Sequence, residues 1–171
     1  MAHAVVRTDK MAGTDVRTGM VSVKVAENNG IDNGCVAILG DLLAKADNSL
    51  EREIYEIAKP KATDDFSSVV LIASPELESC PLDYALDKFY NKKGDIARGY
   101  RLHKGDIFSV TAEALAAADF DAVAAGDIVE LKADYKLNVV SDATSGSTVI
   151  GKILDIETVG RFTFYVIEVT A

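Results

Sequence analysis

Apolar residues in this chain recur mostly at every second position, in short runs broken by turn formers. In "VSVKV" (21–25), Val21, Val23 and Val25 alternate with Ser22 and Lys24, the period of a half-buried strand. The turn-rich "ENNGIDNG" follows, then "CVAIL" (35–39), and Gly40-Asp41 predicts a hairpin toward a further strand in "REIYEIAK" (52–59), which Pro60 ends because proline cannot donate to a sheet. "SSVVLIAS" (67–74) is a continuous β-branched run stopped by Pro75, the pattern of a strand buried on both faces. "LDYALDKFYNKKG" (82–94) predicts a helix, since Leu82, Leu86, Phe89 and Tyr90 fall at spacings of three and four and Gly94 can end it.

Two later segments share one form. "KGDIFSV" (104–110) and "AGDIVEL" (125–131) each lead from a Gly-Asp turn into an alternating strand. Between them, the alanine-rich "TAEALAAADFDAVAA" predicts a turn or two of helix with Thr111 as its cap. "KLNVV", "STVIGKILDIE" and "RFTFYVIEV" alternate again, with "DATSGS" and "TVG" as connecting turns. The expected fold is mainly β: a small β-barrel or sandwich of short antiparallel strands, about eight or nine, with one or two short helices. Residues 1–20 hold no persistent period and read as an extended N-terminal arm; residues 21–171 read as a single β-rich domain.

Composition narrows the partners. No apolar run approaches the roughly 20 residues of a membrane span, and the start "MAHAVVRTDK" lacks the uninterrupted apolar stretch of a signal peptide. The chain is therefore expected to be soluble, to have no membrane partner and to stay in the compartment where it is made. Its net charge of -9, from 18 basic and 27 acidic residues, would repel phosphate backbones, which argues against nucleic acid. The charge is uneven: residues 1–24 carry Arg7, Lys10, Arg17 and Lys24 against Asp9 and Asp15, a net of +2 that leaves -11 for the rest. Cys35 and Cys80 make no disulfide framework and are read as reduced.

Candidate chemistry is sparse. His3 and His103 are the only histidines, and the cysteines lack paired spacing, so neither a multi-histidine nor a zinc site is expected. Nothing local activates Cys80 as a partner for His103. "GDIARG" and "GSTVIGK" lack P-loop spacing and read as turns, and Asp64-Asp65 and Glu76 with Glu78 lack a calcium-loop pattern. No cofactor is expected. In "GYRLHKGDIFSV" (99–110), Arg101, His103 and Lys104 face away from the sheet positions Tyr100, Leu102, Ile107 and Val110. They form either a solvated polar face or a basic patch that meets an acidic partner.

The order of "VVRTDKMAGTDVRTG", "EREIYEIAKP", "LIASPEL", "FYNKKGDIARGYRLHKGDIFSVTAEAL" and the final "IGKI" with its alternating strand resembles the head decoration (cement) proteins of tailed bacteriophages, over nearly the whole chain. The resemblance implies a non-enzymatic protein, made in the host cytoplasm and carried on the outer capsid surface of the virion. There it would bind the major capsid protein where several subunits meet and reinforce the shell, often as a homo-trimer. The arm would then lie across a neighbouring subunit as an added strand, with Val5, Val6 and Met11 as anchors and Arg7, Lys10 and Arg17 pairing with acidic groups. Two other classes stand beside this one. A small-ligand or carbohydrate-binding barrel module displayed on a particle has against it the lack of any tryptophan to stack on a sugar. A hydrolase or transferase using two carboxylates would depend on burial, which sequence does not display.

Overall fold

The computed structural model describes residues 2–15, 17–43, 53–76 and 86–171. Among these the chain is mainly β, built from a closed five-stranded barrel and a seven-stranded sheet. The barrel takes β2 (Met20–Lys24), β3 (Val36–Leu42), β4 (Ile54–Ala58), β5 (Val69–Ile72) and β6 (Ile96–Arg101), in the order β2-β4-β3-β5-β6 with β6 closing on β2. The sheet runs β1 (Val6–Lys10), β7 (Ile107–Val110), β12 (Phe162–Val169), β11 (Val149–Val159), β9 (Ile128–Glu130), β10 (Leu137–Val140) and β8 (Leu115–Ala116). Pairing is antiparallel except for β2 with β4 and β8 with β10.

Alternation sorts the barrel residues as the sequence predicts. Val23 is buried, and all four residues of β5 are buried, because β5 sits between β3 and β6 with one face on the lumen and the other under the rest of the body. A Cβ placed on Gly99 would touch Val21, Val23 and Val70 at 3.2–3.5 Å, which marks Ala97 and Gly99 as the lumen side of β6. One continuous core joins both units: Val70, Leu71 and Ile72 from the barrel pack with Phe108, Val110 and Ile167 from the sheet.

A single local device locks the strands at three places. At Gly94-Asp95, Gly105-Asp106 and Gly126-Asp127 the glycine has φ of 91°, 87° and 100°, a region that side chains with a Cβ rarely enter. The glycine N–H and the aspartate C=O then bracket one residue in, or just past the end of, a strand distant in sequence. Gly105 N donates to Val169 O and Val169 N to Asp106 O, both at 2.9 Å, and Val25 and Ile153 are held the same way by the other two turns. Each aspartate carboxylate closes its own turn by accepting from the backbone N–H three residues back, at 2.8–2.9 Å. Gly34-Cys35 repeats the bracket on Ile72 with a cysteine in the aspartate's place.

Four expectations change in detail. The expected hairpin forms, since the consecutive strands β3 and β4 pair antiparallel, but Gly40-Asp41 is not its turn: β3 runs through it to Leu42, and the register against β4 shifts between Leu39 and Leu42, so the pair forms a bulge. The helix expected over residues 82–94 lies partly outside the described residues; within them only Leu86–Lys88 forms a 3-10 turn, and Asn91 then bridges to Ile31. The expected turn or two of helix after Thr111 forms as two 3-10 turns, Ala112–Ala114 and Phe120–Ala122, on either side of β8; Thr111 stands at the N-cap position of the first, but its hydroxyl makes no capping bond and accepts instead from Val5 N at 3.1 Å. The first twenty residues are not a free arm, because residues 6–10 pair with β7 and form the edge strand of this chain's own sheet.

Candidate functional site

The residues expected to grip a partner through the arm are mostly spent on the protein itself. Val5 and Met11 are each 3% exposed, in the body's own interior. Val6 is half-buried against the core, and Lys10 is exposed at the end of β1. Arg7 donates to Ser109 Oγ at 3.1 Å and to Glu157 Oε2 at 2.9 Å, sits 3.4 Å from Asp9, and lies over the Phe164 ring at 4.5 Å. Ser109, fully buried, donates in turn to Asp9. Upstream, His3 stacks on Tyr90 at 4.4 Å and its Nδ1 lies 2.7 Å from Asp32, whose other oxygen accepts from Ala4 N. Downstream, Ala12 N donates to the buried Asp106 at 2.7 Å. The side chain of Arg17 lies outside the described residues, as do Cys80 and Glu78.

The second expected cluster divides. His103 and Lys104 occupy the exposed Gly105-Asp106 turn, where His103 Nδ1 is 3.7 Å from Asp106 and its side chain is 53% exposed. Arg101 ends β6 and is half-buried at one end of the barrel.

That end is where the starts of β2 and β4 meet the ends of β3 and β6. A recess of about 720 Å3 lies over it, lined by Arg98, Arg101, Tyr55, Glu53, Met20 and Leu42 among others. Cross-strand pairing sets Arg101 opposite Val70 and Arg98 opposite Ser22, so alternation sends the two arginines to opposite sides of β6 and both reach the recess. Among the described residues neither guanidinium has an ion-pair or hydrogen-bond partner, whereas Arg7 and Arg161 each meet a carboxylate. Met20 and Leu42, 41% and 50% exposed, give the recess an apolar rim. Sequence reasoning missed Arg98 and Tyr55. The available signal was "ARGYR", in which two arginines three positions apart close a strand, with Arg98 set between small Ala97 and Gly99.

Elsewhere, polar burial is structural. Asn33 and Asn91 exchange bonds with each other, Ser74 and the Ile31 carbonyl. Burial pushes the Glu76 carboxyl up, against a contact from the Asn33 amide. Glu130, 1% exposed, would also be pushed up by burial, but bonds from Thr144 and Asn138 outweigh this and hold it below the ordinary carboxylate value. Burial raises the Cys35 thiol to about 12, which keeps it protonated and unreactive. Among the described residues no three His, Cys, Asp or Glu side chains gather into a metal-holding cluster.

A last surface is the far half of β11. Among the described residues β9 pairs only with Val149, Gly151 and Lys152, so residues 155–159 pair with β12 alone there and present an unpaired edge. Leu154, Ile156 and Val159 are 37–51% exposed there. No protein-family model matches the chain, and no curated protein or solved structure is significantly similar to it.

Proposed function

We propose that this chain is a structural capsid decoration protein that binds the outside of an assembled phage head, against the major capsid protein, and stabilises it without catalysing a reaction. The observation that carries this reading is the far half of the β11–β12 hairpin, a strand edge left open among the described residues, with Leu154, Ile156 and Val159 exposed along it. Open apolar edges are costly in free solution because they invite unspecific pairing, and are kept where a partner covers them. The segment order that resembles cement proteins supports the same reading. So does the charge of -9, which would keep loaded particles mutually repelling.

Stabilisation then works by mass action. A protein that binds only the assembled shell shifts the equilibrium away from opening by about 2.7 kcal/mol per site at a hundredfold excess over Kd. Homo-oligomeric copies, as trimers, would multiply the sites. The account gives the N-terminal residues a role within the chain and moves the contact from the arm to the hairpin. Its test is saturable co-sedimentation with capsids that lack the protein, using the wild-type chain and Ile156→Lys with Val159→Asp. Retention of the wild type with loss of the variant is expected; equal retention of both would remove the hairpin as the contact.

A further inference from the structure

The two arginines at the barrel end have no part in the hairpin contact. We infer that the recess they line is a binding site for a carboxylate carried on a short apolar body. The charges come first. This chain has 27 acidic side chains against 18 basic ones, yet Arg98 and Arg101 stay half-buried without a carboxylate among the described residues. A guanidinium is the side chain best shaped to take a carboxylate on two parallel N–H bonds, and partial burial strengthens such bonds.

The surroundings select within the anions. Glu53 lines the same recess, and a second negative charge on the ligand would meet it. A monoanionic carboxylate is therefore favoured over a phosphate dianion, and the acidic body adds to that preference. Exposed Met20 and Leu42, with Tyr55, offer apolar area beside the arginines, and the volume of about 720 Å3 suits a small ligand or one or two residues of a peptide. The carboxylate can come from a free organic acid or from an acidic residue flanked by apolar ones in a protein partner.

The experiment is a chemical-shift titration of the full chain with four probes: hexanoate, hexanamide, inorganic phosphate, and the peptide acetyl-Leu-Asp-Leu-amide. At least one carboxylate probe is expected to saturate, with shifts centred on Met20, Tyr55, Arg98 and Arg101, while hexanamide gives none and phosphate binds more weakly. Arg98→Gln and Arg101→Gln should each weaken that binding about tenfold, the effect of losing one charge-assisted bond, with the melting midpoint unchanged. Tighter binding of hexanoate identifies a free acid as the source; tighter binding of the peptide identifies a protein segment. The inference is overturned if neither carboxylate saturates, if hexanamide binds as well, if phosphate binds more tightly, or if both glutamine variants bind like the wild type. Capsid retention is measured separately and does not depend on this result.

Discussion

Glu130 and Cys35, both buried, have opposite chemistry, because hydrogen bonds outweigh burial at the first and burial prevails at the second. The Glu130 carboxylate joins β9 to β10 and to the loop that follows through Asn138 Nδ2 and Thr144 N, both at 2.9 Å. Replacing it with alanine would leave those donors buried without a partner, at about 1–3 kcal/mol. Because its folded value lies below that of a free glutamate, its contribution is complete above the free value and is lost as the pH falls through the folded one. Denaturant titrations at neutral and acid pH should therefore show Glu130→Gln losing less stability than wild type on acidification; parallel losses would show that the carboxylate bonds do not matter. Cys35, raised to about 12, should resist thiol reagents in the native chain and react only after unfolding. Native labelling of Cys35 at the rate of a free thiol, located by mass mapping, would contradict its burial.

Elements differ in how legible they are. Strand identity was written in the alternation of "VSVKV" and the apolar run "VVLI", and the fold class followed from it. The Gly-Asp turns were legible as turns, but their bracket on Val25, Val169 and Ile153 was not, since each target lies 27–69 residues from the turn's glycine. Gly40-Asp41 carries the same two letters and forms a bulge, because β4 on its flank keeps β3 extended. Residues 6–10 read as an arm because their strand partner, β7, begins about a hundred residues later, and only pairing with it gives polar Thr8 and Asp9 a place in a sheet. At the candidate site, Arg101 was picked out by sequence together with His103 and Lys104, whereas it lines a recess with Arg98, which was missed because nothing local says which strand ends close a barrel.

Two predictions belong at this scale. Deleting residues 2–11 removes an edge strand and the buried Ala4, Val5 and Met11, and should cost about 3 kcal/mol or more. A lowered melting midpoint is expected, where a free arm would leave it unchanged. Gly126→Ala, placed at φ of 100° with open space around its Cβ, should cost about 1–2 kcal/mol through backbone strain alone. A chemical melt that shows no change would mean the turn relaxes without its glycine.

At the scale of the molecule, barrel and sheet share one core, and two features remain without a partner among the described residues: the open edge of β11 and the arginine-lined recess. Their separation in the fold allows a protein that holds a shell with one surface and takes a second, acidic ligand with another. The measurement that tests the central claim most directly is co-sedimentation of the purified protein with capsids lacking it, followed by heating of loaded and bare particles. The account predicts saturation at a fixed ratio to capsid subunits and genome release at a higher temperature from loaded particles. Absence of saturable binding, or identical release temperatures at full occupancy, would contradict it.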